Sequence, residues 1–555
     1  MANIGTLTPA ERQQALNGVA RTRGNRVVAS TKTVYANNLV KFVRFLDKNY
    51  PQILDRNFRD SEHTLRDHTL KDQDGIASLS NAYIKDALLA VPAKPIISNW
   101  DDIDGTVICL FLEIWRKSDG YQPKIATYGN MRAAIRFLFK VYEKPIPCRV
   151  GEAMDEYLKG RSKELAAAEG RGRGTGNPHT GKAPMKYEIY RGLAKRFLKN
   201  KEQIKMRMAS SWIFAHCFMV LQFNVMCRAS NIVSLCYSHI QWDEDAIAVY
   251  LVHQKNDQHG EQRDLPRHVY ANPFQPEICP ILALSMLFAV CGFDHEKRLV
   301  LPGHAQYDRY RKTLRDMLDT DEWCKTQLPL LNLTSQQIGS HSLRKAACQF
   351  LNGGTTTAPN SNAVLARGGW QRGMMKTYNP DGEKAGDQYC GRLLAGLLPN
   401  SVQFATLPPH FKAGTPITDV NTAIAAIFPN APEGQNKLLS MCLASLLYHK
   451  KWLRKKLPTE HPLRATALFT DSRMDVLGES VVLGIFEDDT MRATGITEHS
   501  QYLVEQQKLR KQIQSLREEV AKLPKLVGEE LVRTLERRAV ENSQVTPQGI
   551  HAFMS

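Results

Sequence analysis

Hydrophobic residues recur at helical spacing along most of this chain of 555 residues. In the first third, the recurrence of Val34, Leu39, Phe42 and Leu46 at helical spacing predicts a helix that begins near Ser30 or Thr31. The other predicted helices cover about 101–117, 124–142, 151–168, 208–227, 276–291 and 418–457, together with HSLRKAACQFLN, a helix that begins near Ser340 or His341 and runs to about residue 352. Residues 55–75 are charged, and we expect them to be solvated.

One short segment departs from the helical pattern. IAVYLVHQ (247–254) is rich in β-branched and aromatic residues, and the KNDQHG that follows is typical of a hairpin turn. Lys255 is therefore expected at a strand end or turn tip. The chain as a whole is predicted to be mainly α-helical with a small β-sheet, an α+β fold.

A heptad pattern lies close to the C-terminus. Its apolar positions are Tyr502, Leu509, Ile513, Leu516, Val520 and Leu523. Gln506 interrupts the stripe, and Pro524 is expected to end the helix. The pattern predicts a coiled coil over 500–524 that supports self-association. The alternative is an amphipathic helix packed on the body of the protein.

Composition shifts divide the chain into segments. EGRGRGTGNPHTGKAP holds glycines, prolines and cations without apolar periodicity, which indicates a linker. Its Arg171 and Arg173 could also contact phosphates. The predicted segments are a flexible basic arm (1–30), a helical DNA-binding domain (31–168), the linker (169–184), a mixed domain (185–411), a helical extension (412–499), the coiled coil (500–524) and a tail (525–555).

The charge balance favours a polyanionic partner. The formal net charge is +17, and nucleic acid is the first candidate for so basic a globular protein. The run HKKWLRKKL could contact DNA, act as a nuclear import signal or form a solvated helix face. Its candidate DNA-binding residues are Lys450, Lys451, Arg454 and Lys455. Eleven cysteines without a CxxC pair, and no apolar leader or membrane span, predict a soluble intracellular protein.

Six residues in one order suit chemistry on a phosphodiester. They are Arg228 in MCRASNIVSL, Lys255, His341 and Arg344 in HSLR, Trp370 in RGGW, and Tyr378. Arginine pairs bidentately with phosphate and stays charged, so two arginines would stabilise the negative charge that builds up during attack. His341, three residues before Arg344 on the same helix face, could bind the phosphate or exchange a proton.

The other three residues complete a possible reaction. The indole of Trp370 offers an N–H donor, and Lys255 could protonate the departing 5′ oxygen. Tyr378 would be the nucleophile. A covalent phosphotyrosine retains the bond energy, so rejoining would need neither ATP nor metal. The sequence contains no Walker loop and no convincing acidic metal cluster, and we expect no cofactor and no small-molecule substrate.

These motifs, in this order, resemble those of the tyrosine recombinases. KNDQ–G after the strand, GDQYCGR (386–392) and FATLPPHF (404–411) look most like the recombinases of eukaryotic crypton mobile elements. The resemblance is motif-specific over about 222–411. It implies a core-binding domain and a catalytic domain that close around double-stranded DNA, a 3′-phosphotyrosyl intermediate, tetramers on two duplexes, and action in the nucleus.

Three positions depart from the family pattern. Asn231 stands three residues after Arg228, where an acid is common, so an amide would orient the arginine. Trp370 replaces a histidine, as in some relatives. Tyr378 lies only eight residues beyond Trp370, which leaves Tyr389 as an alternative nucleophile. Two other functions stay open: a domesticated, catalytically silent DNA-binding protein, and a type IB topoisomerase, against which His341 argues.

Overall fold

A computed structural model describes most of the chain. The described residues are 8–24, 29–60, 66–71, 77–90, 93–115, 123–170, 181–199, 209–252, 265–354, 357–370 and 384–543. They fall into two compact units, 1–178 and 179–555. The division lies within the predicted linker. The described residues are mainly helical with small antiparallel sheets, which agrees with the predicted α+β class.

The first unit is helical apart from one hairpin. Its helices are α1 (Pro9–Gly24), α2 (Ala29–Asn49), α3 (Arg56–Asp60), α4 (Asn81–Leu89), α5 (Gly105–Ile114), α6 (Ile125–Val141) and α7 (Cys148–Gly170). Leu39, Phe42 and Leu46 of α2 are fully buried. Their face packs against α4 and α6, because apolar residues every three or four positions form one stripe.

Two parts of the first unit differ from the prediction. Residues 9–24 form a helix instead of a flexible arm, because Thr8 and Glu11 cap it reciprocally and Pro9 fits its first position. Within the segment expected to be solvated, β1 (Arg66–Lys71) pairs antiparallel with β2 (Ala77–Leu79). The hairpin is held together by hydrogen bonds between its two strands. Its residues do not alternate between apolar and polar, so the sequence did not predict these strands.

The second unit holds the motif-bearing segment. Its helices are α8 (Tyr187–Lys199), α9 (Ala209–Val225), α10 (Ala229–Val233), α11 (Pro280–Cys291), α12 (Gln306–Thr320), α13 (Glu322–Leu330), α14 (Ser340–Gly353), α15 (Ser361–Gly368), α16 (Lys384–Leu394), α17 (Ile417–Ile427), α18 (Asn436–Lys456), α19 (Ala467–Thr470), α20 (Arg473–Gly478) and α21 (Glu498–Ser543). Helix α9 is apolar on all sides because it packs against α8, α11, α12 and α14.

A three-stranded antiparallel sheet lies beside this helical core. Strand β4 (Ala246–Val249) pairs with β3 (Ile240–Asp243) on one side and β5 (Arg267–Val269) on the other. The predicted strand at 247–254 therefore exists but is shorter, and β3 was not predicted. The β4–β5 connection runs from 250 to 266 and is too long for a tight turn. Its residues 253–264 lie outside the described residues.

The predicted extension shares one hydrophobic core with the predicted catalytic segment. A single cluster of buried residues runs from Met185 to Met474. Helix α18 packs on α11, and β6 (His410–Phe411) pairs with β7 (Val481–Val482). The predicted helical region over 418–457 is two helices, because Pro429, Pro432 and Gly434 interrupt it.

Helix α21 does not stop at Pro524 as the sequence predicted. It continues for 46 residues, to Ser543. Pro524 removes the hydrogen bond to the Val520 carbonyl, a local cost that the strong helix formers on both sides offset. Among the described residues, no helix is long and apolar enough to cross a membrane.

Three buried histidines make the second unit sensitive to acid. Burial lowers the pKa of His216, His449 and His461 to about 4. The Nδ1 atom of His461 accepts the Leu463 N–H at 3.2 Å, which requires an unprotonated nitrogen. Because the unfolded chain binds these protons more readily, stability is full above about pH 6.5 and falls as the pH drops toward 4.

We expect His449→Leu to reduce this acid sensitivity. The Nε2 atom of His449 has no hydrogen-bond partner among the described residues, so the substitution removes a titrating group and little else. The difference in unfolding free energy between pH 7 and pH 4.5, measured with urea, should shrink by about 2 kcal/mol. His295→Leu, at an exposed histidine, should leave that difference unchanged. An unchanged difference in His449→Leu would contradict the assignment.

Candidate functional site

Arg228 is presented by a sharp turn at the end of α9. Met226 adopts a left-handed conformation (φ +52°), which reverses the chain after the buried helix. Arg228 then stands at the N-cap of α10 with an extended backbone and a half-buried side chain. Asn231 is buried one turn later, and its N–H donates to the Arg228 carbonyl at 3.0 Å.

One buried amide joins this turn to the HSLR helix. The Gln222 side chain on α9 donates to the carbonyl of Cys227 at 3.3 Å and to the carbonyl of Ser340 at 3.1 Å. Gln222 is only 1% exposed. The residue before Arg228 and the residue before His341 are therefore held by the same side chain, although they are far apart in sequence.

His341 and Arg344 lie in the first turns of α14. The helix begins at Ser340, as the sequence predicted. His341 is exposed, whereas Arg344 is buried. The two side chains are three residues apart on one helix, so they project from neighbouring positions of its surface.

Arg344 is a buried cation next to a second cation. Burial and then the charge of Arg228 lower the pKa of Arg344 to about 10. Among the described residues, no carboxylate forms an ion pair with Arg344, and its one hydrogen-bond partner is the carbonyl of Gly368. A buried guanidinium that also experiences a second positive charge favours a bound anion.

Trp370 packs against this arginine. The Arg344 guanidinium lies over the indole ring, 4.8 Å from its centre, a cation–π contact. A side chain at Gly368 would meet the indole at 2.2 Å, and Gly369 ends α15 with φ +61°. Both glycines of RGGW are therefore needed to place the ring. Within the described part of the chain, the indole N–H has no acceptor, so it is available to a ligand.

Two arginines hold the carbonyl end of α15. Arg344 donates to the Gly368 carbonyl, and Arg267 donates to the Arg367 carbonyl at 2.6 Å. Burial lowers the pKa of Arg267 to about 10. The last carbonyls of a helix lack partners within the helix and carry partial negative charge, so cations stabilise them. This contact fixes Trp370, which follows directly.

A network around the fully buried Arg367 side chain lies behind this layer. Arg367 donates to the carbonyls of Asn224 (2.7 Å) and His268 (2.9 Å) and to the carboxylate of Asp387 (2.6 Å). The Asp387 carboxylate also accepts a hydrogen bond from the backbone N–H of His268 and contacts the Nδ1 atom of its ring. Although burial opposes it, Arg367 and His268 lower the pKa of Asp387 below its usual range. The network joins α9, β5, α15 and α16.

The sequence did not identify Gln222, Arg267 or the Arg367–Asp387 pair as part of the site. Arg367 and Asp387 do lie in RGGW and GDQYCGR, two of the motifs that carry the family resemblance. The sequence NAVLARGG could have indicated this role, because it places Arg367 among small and apolar residues. A single charged residue in such surroundings is usually buried and paired.

Tyr389, the alternative nucleophile, has partners for both its hydroxyl and its ring. Its hydroxyl donates to the Thr357 carbonyl at 3.0 Å and contacts the Thr357 hydroxyl at 2.9 Å. Its ring packs edge-on against Phe404. Tyr378 and Lys255, together with Arg171 and Arg173, lie outside the described residues. Of the predicted set, the structure places Arg344 against Trp370, and Gln222 links the residues that precede Arg228 and His341.

The basic run at the end of α18 is not uniform. Lys451, Arg454 and Lys455 are exposed, so they can meet a polyanion. Lys450 is buried, and its ammonium pairs with Asp475 at 2.6 Å. The structure therefore assigns Lys450 to internal packing instead of the exposed group.

No family model and no curated protein matches the chain. Within the described residues, no cluster of histidine, cysteine or acidic side chains has the arrangement of a metal site. The described residues of this region offer arginine cations, the exposed imidazole of His341 and the indole N–H of Trp370. Groups of these types can bind and polarise a phosphate ester.

Proposed function

We propose that the chain is a tyrosine recombinase, most similar to those of crypton-type mobile elements, which cleaves and rejoins duplex DNA. The observation that carries the proposal is the burial of Arg344 against Trp370, without a carboxylate partner for this arginine among the described residues. A buried guanidinium of this kind, whose pKa the charge of Arg228 lowers further, is costly unless an anion binds there. A DNA phosphodiester is an anion of suitable charge and shape for two arginine forks.

Each remaining residue has a place in the proposed reaction. The Tyr378 oxygen attacks the phosphorus, the bond from phosphorus to the 5′ oxygen breaks, and Lys255 supplies the proton to that oxygen. His341 accepts the phenolic proton or binds a phosphate oxygen, and the Trp370 indole donates to another. A 5′-hydroxyl from a second duplex then reverses the step. Each step forms one phosphorus–oxygen bond and breaks another, so the energy of the phosphodiester is kept and neither ATP nor a metal is required.

A covalent trapping experiment tests the proposal. The full chain is incubated with nicked duplexes that carry the ends of its own element, or with a random-sequence pool. The expected result is an adduct that survives SDS. After proteolysis, mass spectrometry should find the nucleotide on the peptide that contains Tyr378. Salt-sensitive binding without any adduct would instead favour a silent DNA-binding protein. Relaxation of a supercoiled plasmid that lacks specific sites would favour a topoisomerase.

We expect Arg344→Lys to slow adduct formation about 100-fold, because lysine keeps the charge but loses the planar fork and its contact with Trp370. The initial rate of adduct formation is the measurement. Arg473→Lys, at an exposed arginine paired with Asp471, is the matched control and should change the rate less than about twofold. An Arg344→Lys rate close to wild type would argue against a phosphate at this site.

The proposed partner is double-stranded DNA, bound mainly through phosphates. Lys451, Arg454 and Lys455 are the exposed candidates in the described residues, and Arg171 and Arg173 remain candidates outside them. A family-like reaction would join two duplexes within a tetramer, and it would take place in the nucleus.

A further inference from the structure

The last described helix, α21, extends beyond the packed core of the second unit. Ser500 and Val504, near its start, are buried, and the helix contacts residues 402–405 there. From Lys508 to Val540 every side chain is exposed. The alternative of an amphipathic helix packed along the body therefore does not describe α21. A helix of 46 residues is about 69 Å long, so most of it needs a partner from elsewhere.

We propose that α21 forms a parallel, in-register, two-stranded coiled coil with a second copy of this chain over residues 502–527. In such a pair the a and d positions of the heptads form the contact seam, and the residue types at these positions support the proposal. Leucine occupies three successive d positions, at Leu509, Leu516 and Leu523, after Tyr502. The a positions after Gln506 are all β-branched: Ile513, Val520 and Val527. β-Branched residues at a with leucine at d favour two parallel strands over three or four.

The charged residues at the e and g positions, which flank the seam, also favour a parallel arrangement. The g positions hold Glu505 and Glu519, whereas the e positions hold Arg510 and Arg517. In a parallel pair, Glu505 of one copy faces Arg510 of the second copy, an attractive contact. In an antiparallel pair, e faces e and g faces g, so arginine would meet arginine and glutamate would meet glutamate. The charge pattern therefore opposes the antiparallel arrangement.

The exposed surface is sufficient for a dimer. The seven apolar seam residues are each between 48% and 63% exposed. Two such helices would bury on the order of 1,000 Å² together, which reaches the size of specific interfaces. Beyond Val527 the heptad positions 530, 534 and 537 are polar, so the seam ends there even though the helix continues.

The mass of the full chain in solution tests the proposal without DNA, so its outcome is independent of the proposed reaction. Sedimentation equilibrium should give twice the chain mass of 62.6 kDa. Ile513→Asp with Leu516→Asp, in the seam, should give the monomer. Gln514→Asp with Ser515→Asp adds the same charge outside the seam and should stay dimeric. A monomeric wild type, a larger assembly, or a seam variant that stays dimeric would overturn the proposal.

Cross-linking tests the orientation separately. Gln506→Cys and Leu523→Cys are made one at a time in the full chain and oxidised, with wild type as the background because the chain has its own cysteines. A parallel, in-register pair places each new thiol beside its equivalent, so both variants should form disulfide-linked dimers well above background. An antiparallel pair can align only one of the two positions. Cross-linking of one variant or of neither would overturn the parallel arrangement.

Discussion

Replacing Tyr378 by phenylalanine is expected to abolish the covalent protein–DNA adduct, because the substitution removes the attacking oxygen and nothing else. DNA affinity, measured at fixed salt, should stay within about twofold of wild type, since most of it comes from phosphate contacts. The two measurements together separate loss of the nucleophile from loss of binding.

Tyr389→Phe is the matched control for this prediction. The Tyr389 hydroxyl donates to Thr357, so its removal should cost about 1 kcal/mol of stability but leave the adduct in place. Loss of the adduct only in Tyr389→Phe would keep the class of enzyme and move the nucleophile. Adduct formation in both variants would show that neither tyrosine is the required attacking group.

Arg367→Met is expected to lower the free energy of unfolding by about 4 kcal/mol. Methionine has a similar length, but it leaves the buried Asp387 carboxylate and the carbonyls of Asn224 and His268 without their donor. A buried charge that loses its partner is costly, because water cannot replace the lost contact. Urea unfolding of the full chain, followed by circular dichroism, provides the measurement.

An exposed pair supplies the comparison for Arg367. Arg473 pairs with Asp471 at 2.7 Å on the surface, so Arg473→Met makes the same chemical change in water. Its effect should be below about 0.5 kcal/mol. If the two variants lose similar amounts of stability, the Arg367 network does not support the fold in the way its burial indicates.

Local signals in the sequence predicted many of the helices. The helices α6, α7 and α14 begin and end close to their predicted positions, because apolar spacing and flanking residues are read within one segment. The cap formed by Thr8 and Glu11 is equally local, and the helix that follows it was nonetheless missed. Its apolar residues do not form a stripe along one side of the helix, so periodicity alone does not reveal it.

Long-range contacts explain what the sequence could not predict about the site. The order of Arg228, His341, Arg344 and Trp370 predicts that these residues act as one group. However, Gln222 reaches Ser340, and Arg367 reaches Asn224, across more than a hundred residues. Such pairs depend on which elements pack together, and hydrophobic periodicity within one helix carries no information about them. For the same reason, Lys450 looked like part of a basic surface until its partner Asp475 was placed beside it.

The single core that runs from Met185 to Met474 has a consequence for any shortened form of this protein. A product that ends at residue 411 would retain Arg228, His341, Arg344, Trp370 and Tyr378, yet it would lack α18, which covers α11. The apolar face left behind would make that product prone to aggregate. A gene that loses its 3′ portion would therefore lose the folded second unit as a whole, and a recombinant fragment that carries these residues has to extend past the last residue of that core.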